Sequence, residues 1–422
     1  MSILIRNALH QGREGDIFIE DGRIREIGSI SVEADEVINA ENMAVLPGFI
    51  NTHTHAAMTL FRGWGDDMEL MDWLNNRIWP MEAHIDPNLV YWGTKLACLE
   101  MIRTGTTTFM DMYFYPESAA KAVDEMGIRG FMSSVFLDKI TGQGTEACIR
   151  TAKKEIKALE RIGPTVYPAL GPHAVYSCSK EILEWSAAYS SEKKIPVHFH
   201  LLETEGEKRD FRRENGTEIT EFLERINFLQ PRLVAAHCVW SDNRDIERLS
   251  KHAVNVSFNP VSNMKLAVGN VMDVALMEEK GINISLGTDG PASNNTLSML
   301  DTMKFAGLSV KSHFNDPTLC RADSLLKNAT ANGARALSLD SGIIKEGKLA
   351  DMLLVDLKHE SMVPRRHSLH SKIAYSASPE AIRYVISNGK TVMRDRLVKN
   401  SREIIAGFES SLNKWFEKYG ND

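Results

Sequence analysis

The feature that most constrains this chain is an alternation, through its middle, of short apolar runs with amphipathic helical stretches. Runs at 44–50, 107–112, 130–137, 166–171, 196–201, 233–237, 255–258 and 283–287 have the length and composition of strands. Between them, 89–102, 116–126, 145–162 and 180–190 carry helical periodicity. Eight strands alternating with helices predict an α/β chain folded as a (β/α)8 TIM-type barrel rather than a doubly wound sheet. No Gly-rich dinucleotide fingerprint follows any of the runs.

The two ends read differently. Strands are expected at 2–7, 16–20 and 23–27, the last two joined by the hairpin signal Asp21-Gly22. Strands at 350–356 and 382–386 follow near the C-terminus, with an Asn388-Gly389 turn before 391–393. These hairpin-rich ends predict a small β-sandwich built from 1–47 and 343–398, around a barrel of 48–342. A helix over 401–419 is expected within a C-terminal segment of 399–422.

Composition narrows the class. Hydrophobic residues make up 43% and charged residues 25%, which allows a sizeable core. The net charge of −7 gives no electrostatic pull toward nucleic acid or anionic membranes. The five cysteines are odd in number and scattered without a CxxC pair, which argues against a disulfide framework or a thiolate zinc knuckle. The first twelve residues lack the apolar run of a signal peptide, and no segment approaches the ~20 apolar residues of a membrane span. A cytoplasmic protein is expected.

Four places can carry chemistry. In Pro47-Gly48-Phe49-Ile50-Asn51-Thr52-His53-Thr54-His55, strand alternation turns His53 and His55 to one side, where two imidazoles can grip one ion. In Val197-His198-Phe199-His200, both histidines share a face and either could ligate. His200 lies nearer the C-terminal end, where barrels keep reactive groups, and is preferred, leaving His198 to pack deeper. Glu203 falls just beyond that strand. His237 ends the apolar run 233–237, and Asp289 stands at the mouth of the run 283–287 beside Gly290. Each alone is a weak signal: paired histidines, a buried histidine and an Asp-Gly turn are all common without function. Together, at the ends of four different runs, they form an imidazole–carboxylate set that suits Zn2+ and also Fe, Ni or Mn. The run 166–173 has no lysine to bridge a second ion, so one divalent metal is expected.

These motifs, with GTTTFMDMYF, GPHAVYSCS, VHFHLLET, AAHCV, SFNPVSNMKL and GTDGPASNN, resemble the amidohydrolase superfamily over essentially the whole chain. More closely, they are similar to its methylthioadenosine/S-adenosylhomocysteine deaminase branch, which includes 5′-deoxyadenosine deaminases. The resemblance implies His53, His55, His200 and Asp289 as metal ligands. It implies Glu203 as the acid at purine N1, His237 as the group orienting the attacking water, and Asp289 as the proton carrier to the leaving amine. Glu82 matches the residue holding the ribose hydroxyls, His173 one near the purine, and Ser293 one that reaches the ring. Trp64, Trp73 and Trp79 are candidate walls or core. A small nucleoside substrate and a homo-oligomer, a tetramer in the family pattern, are further implications. Guanine or cytosine deamination, triazine-type hydrolysis and a non-catalytic metal-binding scaffold are the rival readings. One departure stands out: 131–149 contains no arginine and only Lys139 as a cation, so a bidentate clamp for the carboxylate of S-adenosylhomocysteine is not expected. Preference should fall on 5′-deoxyadenosine, 5′-methylthioadenosine or adenosine.

Overall fold

The computed structural model describes residues 1–419; the last three residues of the expected 399–422 segment lie outside it. The middle of the chain forms eight parallel strands: β1 (Phe49–Thr54), β2 (Thr106–Met112), β3 (Arg129–Phe136), β4 (Val166–Pro172), β5 (Val197–Leu201), β6 (Leu233–His237), β7 (Asn255–Phe258) and β8 (Asn283–Leu286). They lie side by side in chain order, each parallel to the next. Almost every strand residue is buried, as expected when helices cover the outside and side chains fill the inside.

The sheet curls until β8 meets β1. The Asp289 backbone N–H donates to the His53 carbonyl (3.0 Å), and the Thr288 N–H to Asn51 Oδ1 (3.1 Å). Inside, the Thr52 hydroxyl lies 2.8 Å from both Ser257 Oγ and Ser285 Oγ, so buried polar groups of three strands satisfy one another. Gly287 is needed where β8 passes closest to β1. A Cβ there would sit 2.7 Å from His53 Cβ and 2.3 Å from Asn259 Oδ1.

The run expected as one strand over 44–50 is in fact two. Met43–Pro47 belongs to the terminal sheet, pairing with Met352–Asp356, while β1 begins at Phe49. An unbroken apolar pattern hid the change of partner. The ends of the chain meet in one eight-stranded sheet running from Lys390–Met393 through Met352–Asp356 and Ser2–His10 to Arg23–Gly28, with a core of its own. Both expected hairpin turns have positive φ at both central residues: 52° and 76° at Asp21-Gly22, 52° and 66° at Asn388-Gly389. This is the signature of the tight turn that matches strand twist. The helix Ser401–Tyr419 does not stand free. Trp415 is buried and its Nε1 donates to the His84 carbonyl (2.8 Å), next to the helix Pro87–Arg103.

Candidate active site

The C-terminal ends of the barrel strands bring the expected residues together. Asp289 Oδ1 lies 3.2 Å from His53 Nε2 and 3.3 Å from His55 Nε2. His200 Nε2 lies 3.2 Å from His55 Nε2. His53, His200 and His237 form a second group whose ligand atoms lie within 4.8 Å of one another, as do those of His53, His55 and Asp289. Four imidazoles and one carboxylate thus converge from β1, β5, β6 and the end of β8.

Each ring is held from behind. His55 Nδ1 meets the Met112 carbonyl (2.6 Å) and His200 Nδ1 the His173 carbonyl (2.9 Å). Those bonds place the ring protons on Nδ1 and leave the Nε2 lone pairs toward the centre. His237 differs: its Nδ1 accepts from Asn263 Nδ2 (2.9 Å), which puts its proton on Nε2 as a donor. Asp289 Oδ2 accepts from Ser262 Oγ (2.6 Å) and Ser293 Oγ (2.9 Å). His237, Cys238 and Asp289 all have positive φ, 73°, 51° and 62°, a strain that persists only where the surroundings over-determine the backbone.

The electrostatics separate the two acids. Burial pushes Glu203 well above the usual carboxylate range, and the nearby charges of Asp289 and Glu207 add to it. Burial would also raise Asp289, but His53 and His55 outweigh it and hold it well below that range. One carboxyl is therefore biased to carry a proton and the other to lack one. Burial lowers His237 and His173 to about 3, keeping both neutral. For His55 burial is overcome by Asp289, which raises it to about 9, so a proton and a cation compete for the same place.

The donor set fits a divalent cation. His53 Nε2 is fully buried and makes no well-aligned hydrogen bond, although four ligand-type residues, His55, His200, His237 and Asp289, surround it. An orphaned buried imidazole nitrogen is costly unless something else uses its lone pair.

Above the cluster opens a cavity of about 420 Å³. Glu203, His237 and Asp289 reach it from below, and Glu82, His173 and Ser293 line it too. Glu82 ends a helical run, Leu70–Trp73, Leu74–Ile78 and Trp79–Glu82, whose middle turn is π-helical, a form frequent at functional sites. Trp73 and Trp79 form walls, whereas Trp64 packs against Phe416 and is no part of the lining. The Ser293 hydroxyl is engaged by Asp289 and by the Gly290 carbonyl (3.1 Å). Sequence reading missed Tyr113, whose hydroxyl donates to Glu82 Oε1 (2.8 Å). It also gave no role to Ser262 and Asn263, although both sit in the motif SFNPVSNMKL.

The amidohydrolase family pattern matches residues 44–392. The chain belongs to the amidohydrolase family. A 5-methylthioadenosine/S-adenosylhomocysteine deaminase 1 of Archaeoglobus fulgidus is 46% identical over 390 residues, 92% of either chain. A 5′-deoxyadenosine deaminase of Methanoregula boonei is 42% identical, covering 96% of this chain and 93% of that one. Among solved structures, an adenosine deaminase from Xanthomonas campestris with bound zinc superposes with a TM-score of 0.93. It is 29% identical, with coverage of 100% of this chain and 98% of its own. No described helix is long and apolar enough to cross a membrane.

Proposed function

We propose that this amidohydrolase deaminates the adenine ring of adenosine-type nucleosides, releasing ammonia and the inosine-type product. The observation that carries the reading is the placement of two oppositely biased carboxyls, Glu203 raised by burial and Asp289 lowered by His53 and His55, at the floor of one cavity beside the histidine cluster. The deaminase names of the relatives at 46% and 42% identity support the substrate class.

His53, His55, His200 and Asp289 would hold one divalent cation, zinc being the ion bound in the structural relative. When bound, such an ion supplies Lewis-acid chemistry, lowering the pKa of water from 15.7 to roughly 7. The chain's own groups then move the protons. Glu203 gives its proton to N1 of the ring, which makes C6 electrophilic. Asp289 takes a proton from the attacking water as the C6–O bond forms. His237, with its proton on Nε2, donates a hydrogen bond that orients that water. Asp289 passes its proton to the amino nitrogen, the C6–N bond breaks and ammonia leaves. The new hydroxyl returns a proton to Glu203, and the product keeps the proton at N1. Each positioned acid or base of this kind contributes ~10²–10⁴-fold.

Glu82 would accept the ribose hydroxyls, with Tyr113 steadying one of its oxygens. The rest of the wall limits the 5′ group. Val135, Leu137 and Ile140 are apolar, and no Lys or Arg lines the cavity among the described residues. Arg129, which flanks the arginine-free stretch, is buried on Asp351 at the opposite end of its strand. A 5′ substituent ending in a carboxylate would find no bidentate partner within this cavity; the adjoining one, which shares Leu70, Tyr176, Glu203 and Leu266 with it, carries Lys139, Arg209 and Lys265. The test is kcat/KM across 5′-deoxyadenosine, 5′-methylthioadenosine, adenosine and S-adenosylhomocysteine. The first three are expected to lead, and a clear preference for the last would overturn the assignment of the wall.

A further inference from the structure

His198, read from sequence as a deeper core histidine, has a more specific place. It is fully buried on β5, and its Nε2 lies 2.6 Å from Nδ1 of His53. The two rings meet edge to face, with an interplanar angle of 86°. Only one proton fits between two nitrogens at that distance, so the pair has two arrangements. In one, His198 Nε2–H donates to His53 Nδ1. His53 then carries its own proton on Nε2, aimed at Asp289 Oδ1 3.2 Å away, and has no lone pair to offer. In the other, His53 Nδ1–H donates to His198 Nε2, and His53 Nε2 is free to ligate.

We propose that His198 is the positioning residue that selects the second arrangement, locking the His53 ring with its Nε2 lone pair toward the centre. The inference rests on the reading of His53 as a metal ligand. It follows that His198 carries its own proton on Nδ1. That nitrogen makes no hydrogen bond within the chain. His55 and His200 use backbone carbonyls for the same purpose. At His53 a neutral imidazole takes the place of the carbonyl. This acceptor adds no negative charge, so Asp289 stays the sole carboxylate of the proposed ligand set.

The test uses the full-length chain loaded with Zn2+. Isotope-labelled histidine NMR should show the His198 proton on Nδ1 and the His53 proton on Nδ1. In chelator competition, His198→Leu should weaken Zn2+ affinity by ~10–100-fold, whereas His198→Gln, whose amide oxygen can accept the same bond, should stay within a few-fold. A proton on His198 Nε2 in the loaded protein would overturn the inference, as would a Leu variant that binds Zn2+ like the wild type. Should the Leu variant fail to fold, the wild-type spectrum still decides. His53→Ala separates the two levels. If it keeps wild-type Zn2+ affinity, the metal-centre reading fails. If it loses Zn2+ while His198→Leu does not, only the role of His198 fails.

Discussion

Two buried charged clusters sit at opposite ends of this barrel. At the N-terminal ends of the strands, Arg129 and Asp351 form an ion pair, 2% and 1% exposed, with Nε and Oδ2 3.1 Å apart. Arg129 also donates to Asn388 Oδ1 (2.8 Å), and Asp351 accepts from Ser341 Oγ (2.9 Å) and the Asn388 N–H (2.7 Å). At the C-terminal ends, four histidines crowd one aspartate and His53 Nε2 makes no well-aligned hydrogen bond. The first cluster is complete within the chain and pins the terminal sheet to the barrel floor. The second is complete only with something the chain does not supply. Burial of charge is common to both; satisfaction separates structure from chemistry.

If that contrast holds, substitutions at the two ends should fail in different ways. The largest effect is expected for Asp289→Asn. Losing both the proposed ligand and the proposed proton carrier should lower kcat by about 10⁴-fold with little change in melting temperature. Near-wild-type ammonia release with metal bound would contradict the role. At the other end, Asp351→Ala leaves Arg129 buried and unpaired and should cost about 3–5 kcal/mol of stability. Denaturant titration should register that loss while kcat/KM of the folded fraction changes little; a primary loss of turnover would blur the division.

Next in size, Glu203→Gln should reduce kcat by about 10²–10³-fold. In the wild type, kcat/KM should fall as pH rises through the elevated pKa of Glu203, because the protonated form is the donor. The Gln variant should lose that limb; a retained limb would point to another acid. The smallest effect is expected for Tyr113→Phe, where loss of one hydrogen bond to a charged group is worth about 1.5–3 kcal/mol at most and less at a half-buried carboxylate. KM for ribosides should rise several-fold with kcat nearly constant, and a 2′,3′-dideoxy analogue should not respond. Burial pushes Glu82 up to about 7, against the bond from Tyr113. In the proposed role the carboxylate form accepts the sugar hydroxyls, so riboside KM should fall as pH rises through that value. A pH-independent KM would remove Glu82 from sugar binding.

Much of this was legible in the sequence. His53 and His55 share a face by strand period, and His200, His237 and Asp289 each end an apolar run, which in a barrel means one shared rim. Hairpin turns at Asp21-Gly22 and Asn388-Gly389 announced themselves through residues that tolerate positive φ. What stayed hidden depends on convergence rather than on local pattern. Tyr113 looks like any aromatic beyond a strand until β2 brings it to Glu82. His198 reads as core until β1 and β5 face each other across the barrel. The break between Met43–Pro47 and β1 leaves no mark in a continuous apolar run, because both sheets bury their strands equally well.

The most direct test of the centre is metal content measured alongside ammonia release from 5′-deoxyadenosine, before and after chelation and Zn2+ return. One ion per chain is expected, with activity lost on its removal and restored with it, and with neither seen in His53→Ala. Full turnover in metal-free protein would contradict the account.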